Sequence, residues 1–312
     1  MNTLSICIPS NRSFDCLNKC LNSIKTAFKP KNLKFDICIS DNSGDMSKIK
    51  LIKNYKRKLN IKYQYIKRKT NRVENLCNSI KLSKNDFTWF IGDDEVVLKN
   101  SLVNIEKIFE TKSKNVDLIF LNSNFIKKNQ KLKFIKKIKK FHDLIDYRIS
   151  DDFMIAMFLS IFRRSSWEKH KSILNKFKKN NIEFSELGNT FPHSIVFSKA
   201  FMNSNVYFSK KIYTNNFIKH REWSNLWPFV LSIRMPQMLD NYRENGLPIK
   251  KYIINKNYSL RFFIPHAIKI LLRINSYPIS LFDLLKCFVS NALYPYYYLS
   301  PVIWSVERLL RK

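Results

Sequence analysis

The stretch FTWFIGDDEVV, Phe87 to Val97, decides how this chain of 312 residues is interpreted. An apolar, aromatic run ends at Gly92, and the three carboxylates of Asp93–Glu95 follow without a break. Adjacent like charges repel one another, while the whole chain carries a formal net charge of +32. We therefore expect the acidic turn to face a cation rather than to serve stability alone.

Outward from this stretch, short apolar runs alternate with amphipathic helical patterns. The predicted strands are Leu4–Pro9, Lys34–Ser40, Ile61–Ile66, Phe87–Gly92 and Val116–Leu121. Strands that alternate with helices predict βαβ units, and hence an α/β fold with a mostly parallel sheet and helices on both faces. Ligands of such sheets bind beyond the carboxyl ends of the strands. The turns DNSGD (Asp41–Asp45) and GDDE both follow predicted strands there.

Composition restricts the partners and the compartment. The chain has 56 lysines and arginines against 24 acids, which favours anionic partners such as nucleotides or an anionic membrane surface. No nucleic-acid partner is expected, because no helix-turn-helix, zinc-finger or RNA-binding signature occurs. Six cysteines without a CxxC pair indicate reduced core thiols. The opening MNTLSICIPS has no secretory pattern, which predicts a cytoplasmic location.

The C-terminal part has a different character. Residues 224–312 mix apolar segments with scattered basic side chains, and we predict a helical, membrane-associating region there. Cys287–Val306 is uncharged for 20 residues, enough on length alone to span a bilayer. Pro295, Pro301 and a run of tyrosines favour a position on the membrane surface instead. A spanning helix and a helical cap on the sheet remain alternatives. The basic run Lys127–Lys140 fits either a solvated hairpin or a membrane-facing patch.

Four segments in a fixed order point to a known family. LSICIPSNR, ICISDNSGD, NRVENLCNSI and FTWFIGDDE resemble the corresponding motifs of family 2 glycosyltransferases with the Rossmann-like GT-A fold. The resemblance is greatest to the O-antigen and capsule branch with its abequosyltransferase-like enzymes. It implies a GT-A domain over residues 1–223, with a nucleotide-sugar half at about 1–122 and an acceptor half at about 123–223.

The resemblance also implies a donor site. The residues expected to bind the nucleotide sugar are Pro9, Ser10, Asn11, Asp41, Arg72, Asn75, Asp93 and Asp94. Asp41 would accept a hydrogen bond from a pyrimidine ring, although an Asp in DNSG also fits a turn cap. The expected ligands of a Mn²⁺ or Mg²⁺ ion on the donor diphosphate are Asp93, Glu95 and His220. Glu95 stands where the family usually has a second Asp, and His220 equally fits a surface position.

The same resemblance implies inverting transfer with a side-chain general base, because an attacking hydroxyl must lose its proton. His193 begins the helix where many family members place acidic residues, and a histidine accepts a proton near neutral pH. A capping or core histidine is the alternative. Glu186 is the rival base, and Gly188 matches the glycine of the acceptor loop.

The predicted enzyme moves a sugar from a nucleoside-diphosphate sugar to a glycan or polyprenyl-diphosphate-linked acceptor, at the inner face of the cytoplasmic membrane. Two alternatives remain open. A nucleotidyltransferase would need a glycine-rich loop after the first strand, and IPSNRSF contains no glycine. A catalytically inactive, basic membrane-binding relative would leave GDDE and DNSGD without a function.

Overall fold

The computed structural model describes residues 3–68, 70–123, 138–149, 159–179, 182–216 and 225–310. Within these residues one sheet holds eight strands. They are β1 (Thr3–Ser10), β2 (Lys34–Asp41), β3 (Ile61–Tyr65), β4 (Phe87–Phe90), β5 (Glu95–Val97), β6 (Leu118–Ser123), β7 (Ser160–Arg163) and β8 (Val206–Asn216). Their spatial order is β3-β2-β1-β4-β7-β6-β8-β5.

Helices connect and cover the strands. In the first half they are α1 (Phe14–Thr26), α2 (Ser47–Lys56), α3 (Arg72–Lys81), α4 (Ser101–Lys112) and α5 (Phe141–Leu144). The middle of the chain adds α6 (Arg164–His170), a 3₁₀ turn (Lys171–Leu174), α7 (Asn175–Lys178), α8 (Leu187–Thr190) and α9 (Pro192–Phe201). The C-terminal part has α10 (Trp227–Phe229), a π-helical turn (Val230–Arg234), α11 (Met235–Glu244), α12 (Ile249–Ser259), α13 (Phe263–Leu271), a 3₁₀ turn (Ile274–Ser276), α14 (Leu281–Asn291) and α15 (Pro295–Leu310).

The sheet is mixed. β1 pairs in parallel with β2 and β4, and β2 pairs in parallel with β3. β7 then lies antiparallel between β4 and β6, whereas β6 and β8 are parallel and β5 runs antiparallel to β8. The predicted α/β architecture is confirmed, and its parallel part coincides with the βαβ units seen in the sequence. These parallel strands bring Ser10 opposite Asp41 at their carboxyl ends.

Side-chain alternation along the strands produces a core on each face of the sheet. In β1, Ile6 and Ile8 belong to the hydrophobic cluster that includes α1 and α4, and Cys7 belongs to the opposite cluster. Successive residues of a strand point to opposite faces, so a strand covered on both sides reads as a continuous apolar run. That is why the sequence LSICIP is apolar except for Ser5, which is itself fully buried.

The C-terminal helices contribute to one of these two cores. Phe263 and Ile270 of α13, Leu284 of α14 and Tyr297 of α15 lie in the same hydrophobic cluster as Cys7 of β1. These helices therefore pack onto one face of the sheet as well as against each other. The predicted boundary at residue 223 stays a prediction, because residues 217–224 lie outside the described part of the chain.

The uncharged segment Cys287–Val306 is not one continuous helix. Helix α14 ends at Asn291 and α15 begins at Pro295. No helix among residues 3–310, apart from the gaps given above, has the length and hydropathy that crossing a membrane requires. Most of the basic run Lys127–Lys140 lies outside the described residues.

All six cysteines are free thiols. Cys20 is fully buried below the acidic turn, with its Sγ 3.8 Å from the carbonyl oxygen of Gly92. Burial raises the pKa of the Cys20 thiol well above its usual value, and the nearby acids add to the effect. A buried thiol that resists ionisation is a poor nucleophile, so these data support a packing role for Cys20.

Candidate active site

A continuous hydrogen-bond network joins the carboxyl ends of the central strands. Ser10 Oγ, at the end of β1, donates to Asp93 Oδ2 over 2.9 Å. Lys48 Nζ, from α2, donates to Ser10 Oγ over 2.9 Å and lies 3.4 Å from Asp41 Oδ1. Tyr63 of β3 donates its hydroxyl to Asp41 Oδ2 over 2.8 Å. Two predicted donor-site acids, Asp41 and Asp93, thus belong to one network at the edge where ligands of such sheets bind.

Asp93 fixes the first loop against the acidic turn. Its side chain is 2% exposed, and Oδ2 also accepts the backbone N–H groups of Asn11 (3.2 Å) and Arg12 (3.1 Å). Burial raises the pKa of the Asp93 carboxyl, and the hydrogen bonds from Arg12 and Ser10 oppose that rise. A buried carboxylate with several donors is a strong positional constraint, so this acid shapes the loop Ser10–Arg12.

The cation that the acidic turn was expected to face is Arg12 in this structure. Its Nε lies 3.6 Å from Asp93 Oδ1, and its Nη2 lies 3.6 Å from Asp94 Oδ2. Gly92 allows Asp94 to fold back towards the turn, because a Cβ at position 92 would lie 2.5 Å from Asp94 Oδ1. One guanidinium therefore offsets the repulsion between two neighbouring acids.

Glu95 lies on the far side of the turn, as the first residue of β5. It is 2% exposed, and Asn216 Nδ2 donates to Glu95 Oε1 over 2.8 Å and to Asp94 Oδ2 over 3.3 Å. In the described part of the chain, no group of three or more His, Cys, Asp or Glu side chains is arranged to hold a metal ion. The carboxylates of Asp93, Asp94 and Glu95 contact Arg12 and Asn216. This arrangement does not fit a preformed metal site. His220 lies outside the described residues.

Asp41 is buried more deeply than its predicted contact with a pyrimidine ring would allow. Its side chain is fully buried, and Oδ1 accepts the backbone N–H of Ser43 over 3.0 Å in addition to facing Lys48. This is the turn-capping geometry that the sequence left as an alternative. The nucleotide contact of Asp41 stays a prediction, one that needs Lys48 or Tyr63 to move.

Asn75 connects the ends of β1 and β2. Its Nδ2 donates to Ser10 O (3.3 Å) and to Asn42 Oδ1 (3.0 Å), and its Oδ1 accepts from Ser40 Oγ (2.6 Å). Helix α3 carries Asn75 and begins at Arg72, after the cap Asn71. The predicted donor residues Pro9, Ser10 and Asn11 lie at the end of β1 and in the loop that follows, beside Asn75 and the acidic turn.

A second group of residues lies on the loop before α8. Arg72 Nη2 is 3.4 Å from Glu183 Oε2, and its guanidinium lies 4.8 Å from the centre of the Phe184 ring. Glu186 is exposed and directly precedes α8. Gly188 is buried against the Phe177 ring. A Cβ at this position would lie 2.3 Å from that ring, so no side chain fits there. This loop thus contacts Arg72, one of the predicted donor residues, at the start of α3.

His193 has a different environment from Glu186. It is 6% exposed and its ring packs edge-on against Phe191 and Phe197, with centroids 6.1 and 5.9 Å apart. Burial between these two rings restricts access by a substrate. The surroundings favour the core interpretation of His193, and its role as a base stays a prediction.

Four residues with roles in these contacts were not predicted from the sequence, namely Arg12, Lys48, Tyr63 and Arg234. One sequence signal could have identified Arg12, because it directly follows the predicted loop residues Pro9–Asn11. Lys48 had none, because it is one of 56 basic residues in the chain. The contact made by Arg234 could not be predicted, because it depends on the packing of its helical turn against the loop before α8.

The chain is similar to known proteins in sequence and in fold. The family model described as Glycosyl transferase family 2 matches residues 5–202, which is more than half of the chain. The chain therefore belongs to the family 2 glycosyltransferases. It is 29% identical over 112 residues to "Abequosyltransferase RfbV" of Salmonella typhimurium strain LT2, covering 35% of this chain and 33% of the relative. The chain thus aligns with about a third of that relative's length. The predicted resemblance to the family is confirmed.

Solved structures confirm the GT-A fold. The S. aureus TarS 1-349 structure in complex with UDP has a TM-score of 0.64 at 14% identity, covering 99% of this chain and 87% of that one. The mannosyltransferase PcManGT from Pyrobaculum calidifontis, in complex with GDP-Man and Mn²⁺, has a TM-score of 0.55 at 12% identity, covering 100% and 88%. At these identities the likeness shows the fold alone.

Proposed function

We propose that this protein transfers a sugar from a nucleoside-diphosphate sugar to a hydroxyl of a glycan acceptor in surface-polysaccharide synthesis, with inversion at the anomeric carbon. The observation that carries the proposal is the joining of Asp93, Ser10 and Arg12 where β1 and β4 end. Family membership adds to it, and the UDP and GDP-Man complexes of the structural neighbours support a nucleotide-sugar donor. A pyrimidine base stays the one implied by the family resemblance, since the neighbours bind both a pyrimidine and a purine nucleotide.

Arg12 has the chemistry that a diphosphate leaving group requires. Its guanidinium is held beside the acidic turn by Asp93 and Asp94, and its side chain is 20% exposed. Charge that develops on a leaving group is stabilised by a preorganised cation, and a guanidinium suits phosphate oxygens. We assign this electrostatic role to Arg12. Mn²⁺ or Mg²⁺ stays a predicted cofactor.

Glu186 is the better-placed general base of the two candidates. It is exposed and lies next to a loop that contacts Arg72 on the donor side. A base must reach the proton that it removes. The exposed Glu186 meets this condition better than His193, which is buried between two aromatic rings. The acceptor hydroxyl would give its proton to Glu186 while its oxygen bonds to the anomeric carbon and the nucleoside diphosphate departs.

Thermal unfolding with nucleoside diphosphates tests the donor proposal. UDP should raise the melting temperature, because a ligand that binds the native state stabilises it. Arg12→Gln should weaken UDP binding by about tenfold, as expected for the loss of a charge-assisted hydrogen bond. Arg57→Gln, at an exposed position after α2, is the matched control. Runs with GDP, and with Mn²⁺ or Mg²⁺ added, report the base preference and any metal requirement.

Two results would contradict the donor proposal. One is that no nucleoside diphosphate, with or without metal, stabilises the protein. The other is that Arg12→Gln binds UDP as well as the Arg57→Gln control, which would remove the role given to Arg12.

We further propose that the C-terminal helices lie on an anionic membrane surface. Large apolar side chains are exposed there to an extent that soluble monomers rarely show. They include Ile268, Leu272, Phe282, Leu285, Val289, Leu293, Tyr298, Val302, Leu309 and Leu310, with Leu293 exposed by 91%. Lys269, Arg273, Lys286 and Arg308 are exposed among them. Apolar contact combined with basic charge is the chemistry that binds peripheral helices to anionic lipid.

Point substitutions on this face test the membrane proposal better than truncation, because α13–α15 also contribute core residues. The triple variant Phe282→Ser, Val289→Ser, Val302→Ser should bind vesicles of phosphatidylglycerol and phosphatidylethanolamine at least about tenfold more weakly. Phe28→Ser with Met46→Ser removes exposed apolar side chains elsewhere and should change little. Co-sedimentation measures both. Equal binding by the triple variant and the wild type would refute a membrane-facing role for these helices.

A further inference from the structure

A cavity of about 720 Å³ lies between the loop before α8 and the C-terminal helices. Its walls come from this loop, the π-helical turn, α11, α12 and α14, and its volume is within the range of small-molecule sites. Among the residues that the structure describes, no member of the donor network around Asp41 and Asp93 lines it. Nucleotide-sugar binding at the strand ends therefore leaves this cavity unused.

Arg234 brings a buried positive charge to the cavity wall. It is 5% exposed, and burial lowers the pKa of its guanidinium to about 10, so the group stays charged at neutral pH. It donates to the carbonyl oxygens of Phe184 and Ser185 and to Gln237 Oε1, and all three acceptors are neutral. No carboxylate in the described part of the chain forms an ion pair with it. Because a buried charge without a counter-ion is costly and a guanidinium matches phosphate oxygens, Arg234 favours a ligand with a phosphate group.

Asn291 requires a hydrogen-bond donor from the same ligand. It lines the cavity and is 3% exposed. Its Nδ2 donates to Cys287 O over 2.7 Å, and the opposite orientation of the amide would set two acceptors against each other. Its buried Oδ1 accepts no hydrogen bond from any residue that the structure describes, which is costly and rare in native proteins. A ligand with an N–H or O–H group would satisfy this oxygen.

The charges around the cavity favour an ammonium group as that donor. Asn291 ends α14, and the C-terminal end of a helix carries a partial negative charge that attracts cations. Over the whole lining, three acids balance three bases, namely Glu186, Asp240, Asp283, Arg234, Lys256 and Lys286. A ligand with one phosphate and one ammonium group keeps this balance. A neutral ligand would leave Arg234 without a counter-ion, and a purely anionic one would meet the acids without a cation of its own.

Lys286 of α14 is the second cation that such a phosphate can reach. Lys256, the other lysine in the lining, already pairs with Asp240, its Nζ 2.7 Å from Oδ2. The Lys286 side chain is 64% exposed, and its Nζ lies 3.8 Å from Asp283 Oδ1, an exposed pair of little strength. Because Lys286 is exposed and Arg234 is buried, a phosphate between them would lie between the solvent side and the inner wall of the cavity.

Helix α14 also relates the cavity to the apolar face that is proposed to meet the membrane. Lys286 and Ser290 line the cavity, whereas Leu285 and Val289, each one residue earlier, are exposed apolar side chains. Successive residues of a helix are about 100° apart around its axis, so the two surfaces are adjacent sides of one helix. A lipid in that bilayer would have its head group beside the cavity.

We propose that this cavity binds the zwitterionic head group of a phospholipid that carries a primary ammonium group, the chemistry of phosphatidylethanolamine. The phosphate would pair with Arg234 and Lys286, and the ammonium group would donate to Asn291 Oδ1 near Asp283. The inference rests on the membrane surface proposed above for the C-terminal helices. It adds recognition of one lipid to their general attraction to an anionic bilayer.

Saturation-transfer NMR on the full chain tests the cavity with soluble head groups. The probes are glycerophosphoethanolamine and glycerophosphocholine at millimolar concentration, which share the phosphate, whereas the choline nitrogen has no N–H donor. Glycerophosphoethanolamine should give a signal, and glycerophosphocholine should bind about tenfold more weakly, as expected for the loss of one charge-assisted hydrogen bond. Ser290→Trp fills the cavity from an exposed position of α14, and it should weaken binding of glycerophosphoethanolamine at least about tenfold.

Two further variants accompany Ser290→Trp. Ser165→Trp is the matched control, because Ser165 is an exposed residue of α6 that does not line the cavity, and it should retain the signal. Asn291→Leu removes the unsatisfied oxygen at nearly constant side-chain volume and should weaken binding about tenfold as well. It keeps the test decisive if the indole of Ser290→Trp disturbs packing, which circular dichroism of each variant reports.

Co-sedimentation with vesicles tests the lipid as the source of the head group. At equal phosphatidylglycerol content, the wild type and Ser165→Trp should bind vesicles completed with phosphatidylethanolamine about tenfold more tightly than vesicles completed with phosphatidylcholine. Ser290→Trp should bind the two kinds of vesicle equally. The ratio of the two affinities is the readout, because an added indole can strengthen membrane contact on both kinds.

Three results would each overturn the proposal: no signal from glycerophosphoethanolamine, equal binding of the two soluble head groups, or a preference for phosphatidylethanolamine that survives both Ser290→Trp and Asn291→Leu. Vesicle binding without any such preference would refute the cavity assignment alone. Binding to neither kind of vesicle would refute the proposed membrane surface, and the lipid as the occupant with it. The UDP thermal shift reports the transferase function separately from all of these outcomes.

Discussion

Glu186→Gln should lower the rate of sugar transfer by about 10²–10⁴-fold, the usual contribution of a positioned general base. The amide keeps the size of the side chain but cannot take the proton from the acceptor hydroxyl. Because Glu186 does not belong to the donor network of Asp93 and Ser10, UDP binding should be unchanged. The measurement is release of nucleoside diphosphate from the donor sugar with acceptor present, alongside a UDP thermal shift.

Glu183→Gln is the matched control for this variant. Glu183 lies on the same loop and pairs with Arg72 at the surface, where an ion pair contributes at most about 1 kcal/mol. Its loss should leave transfer within about tenfold of the wild type. His193→Gln should also be mild if His193 is a core residue. A severe loss in His193→Gln with near-normal transfer in Glu186→Gln would make His193 the base and reject the assignment of Glu186.

Lys48→Met should destabilise the fold by about 3–5 kcal/mol, as expected when one partner of a buried ion pair is removed. Lys48 and Asp41 are both fully buried, and Lys48 also donates to Ser10 Oγ. Methionine fills the same space and leaves the Asp41 carboxylate without its cation. Chemical denaturation monitored by circular dichroism measures the change in the free energy of unfolding.

The control is Lys50→Met, an exposed position on the same helix, where the effect should stay within about 0.5 kcal/mol. The double variant Lys48→Met, Asp41→Asn should recover part of the lost stability, because the remaining partner is no longer charged. A loss in Lys48→Met no larger than that of the control would show that Lys48 does not neutralise Asp41 in the native state.

The fold could be predicted from sequence because its signals are local. The apolar run of β1 and the stripe on α1 each report burial within a few residues of one another. The position of β7, antiparallel between β4 and β6, involves long-range pairing that no local pattern encodes. Strand β5 has three residues, too few to show a period, so the sequence predicts only a turn at Glu95.

The position of the acidic turn at the strand ends was also predictable in outline. Parallel strands place their carboxyl ends at one edge, and Ser10, at the end of β1, and Asp93, after β4, are in contact there. What these acids contact was not predictable, since long Lys and Arg side chains reach across several elements. Arg12 lies beside Asp93, where a metal ion was predicted, and Lys48 lies beside Asp41, where a nucleotide base was predicted.

The sharing of one core between the two ends of the chain has a consequence for biosynthesis. Cys7 and Tyr297 belong to the same hydrophobic cluster, so that face of the sheet cannot be fully covered until Tyr297 has left the ribosome. During translation the nascent chain exposes this apolar surface, the kind of surface that chaperones bind. Final packing of this cluster therefore waits for the C-terminal helices to emerge.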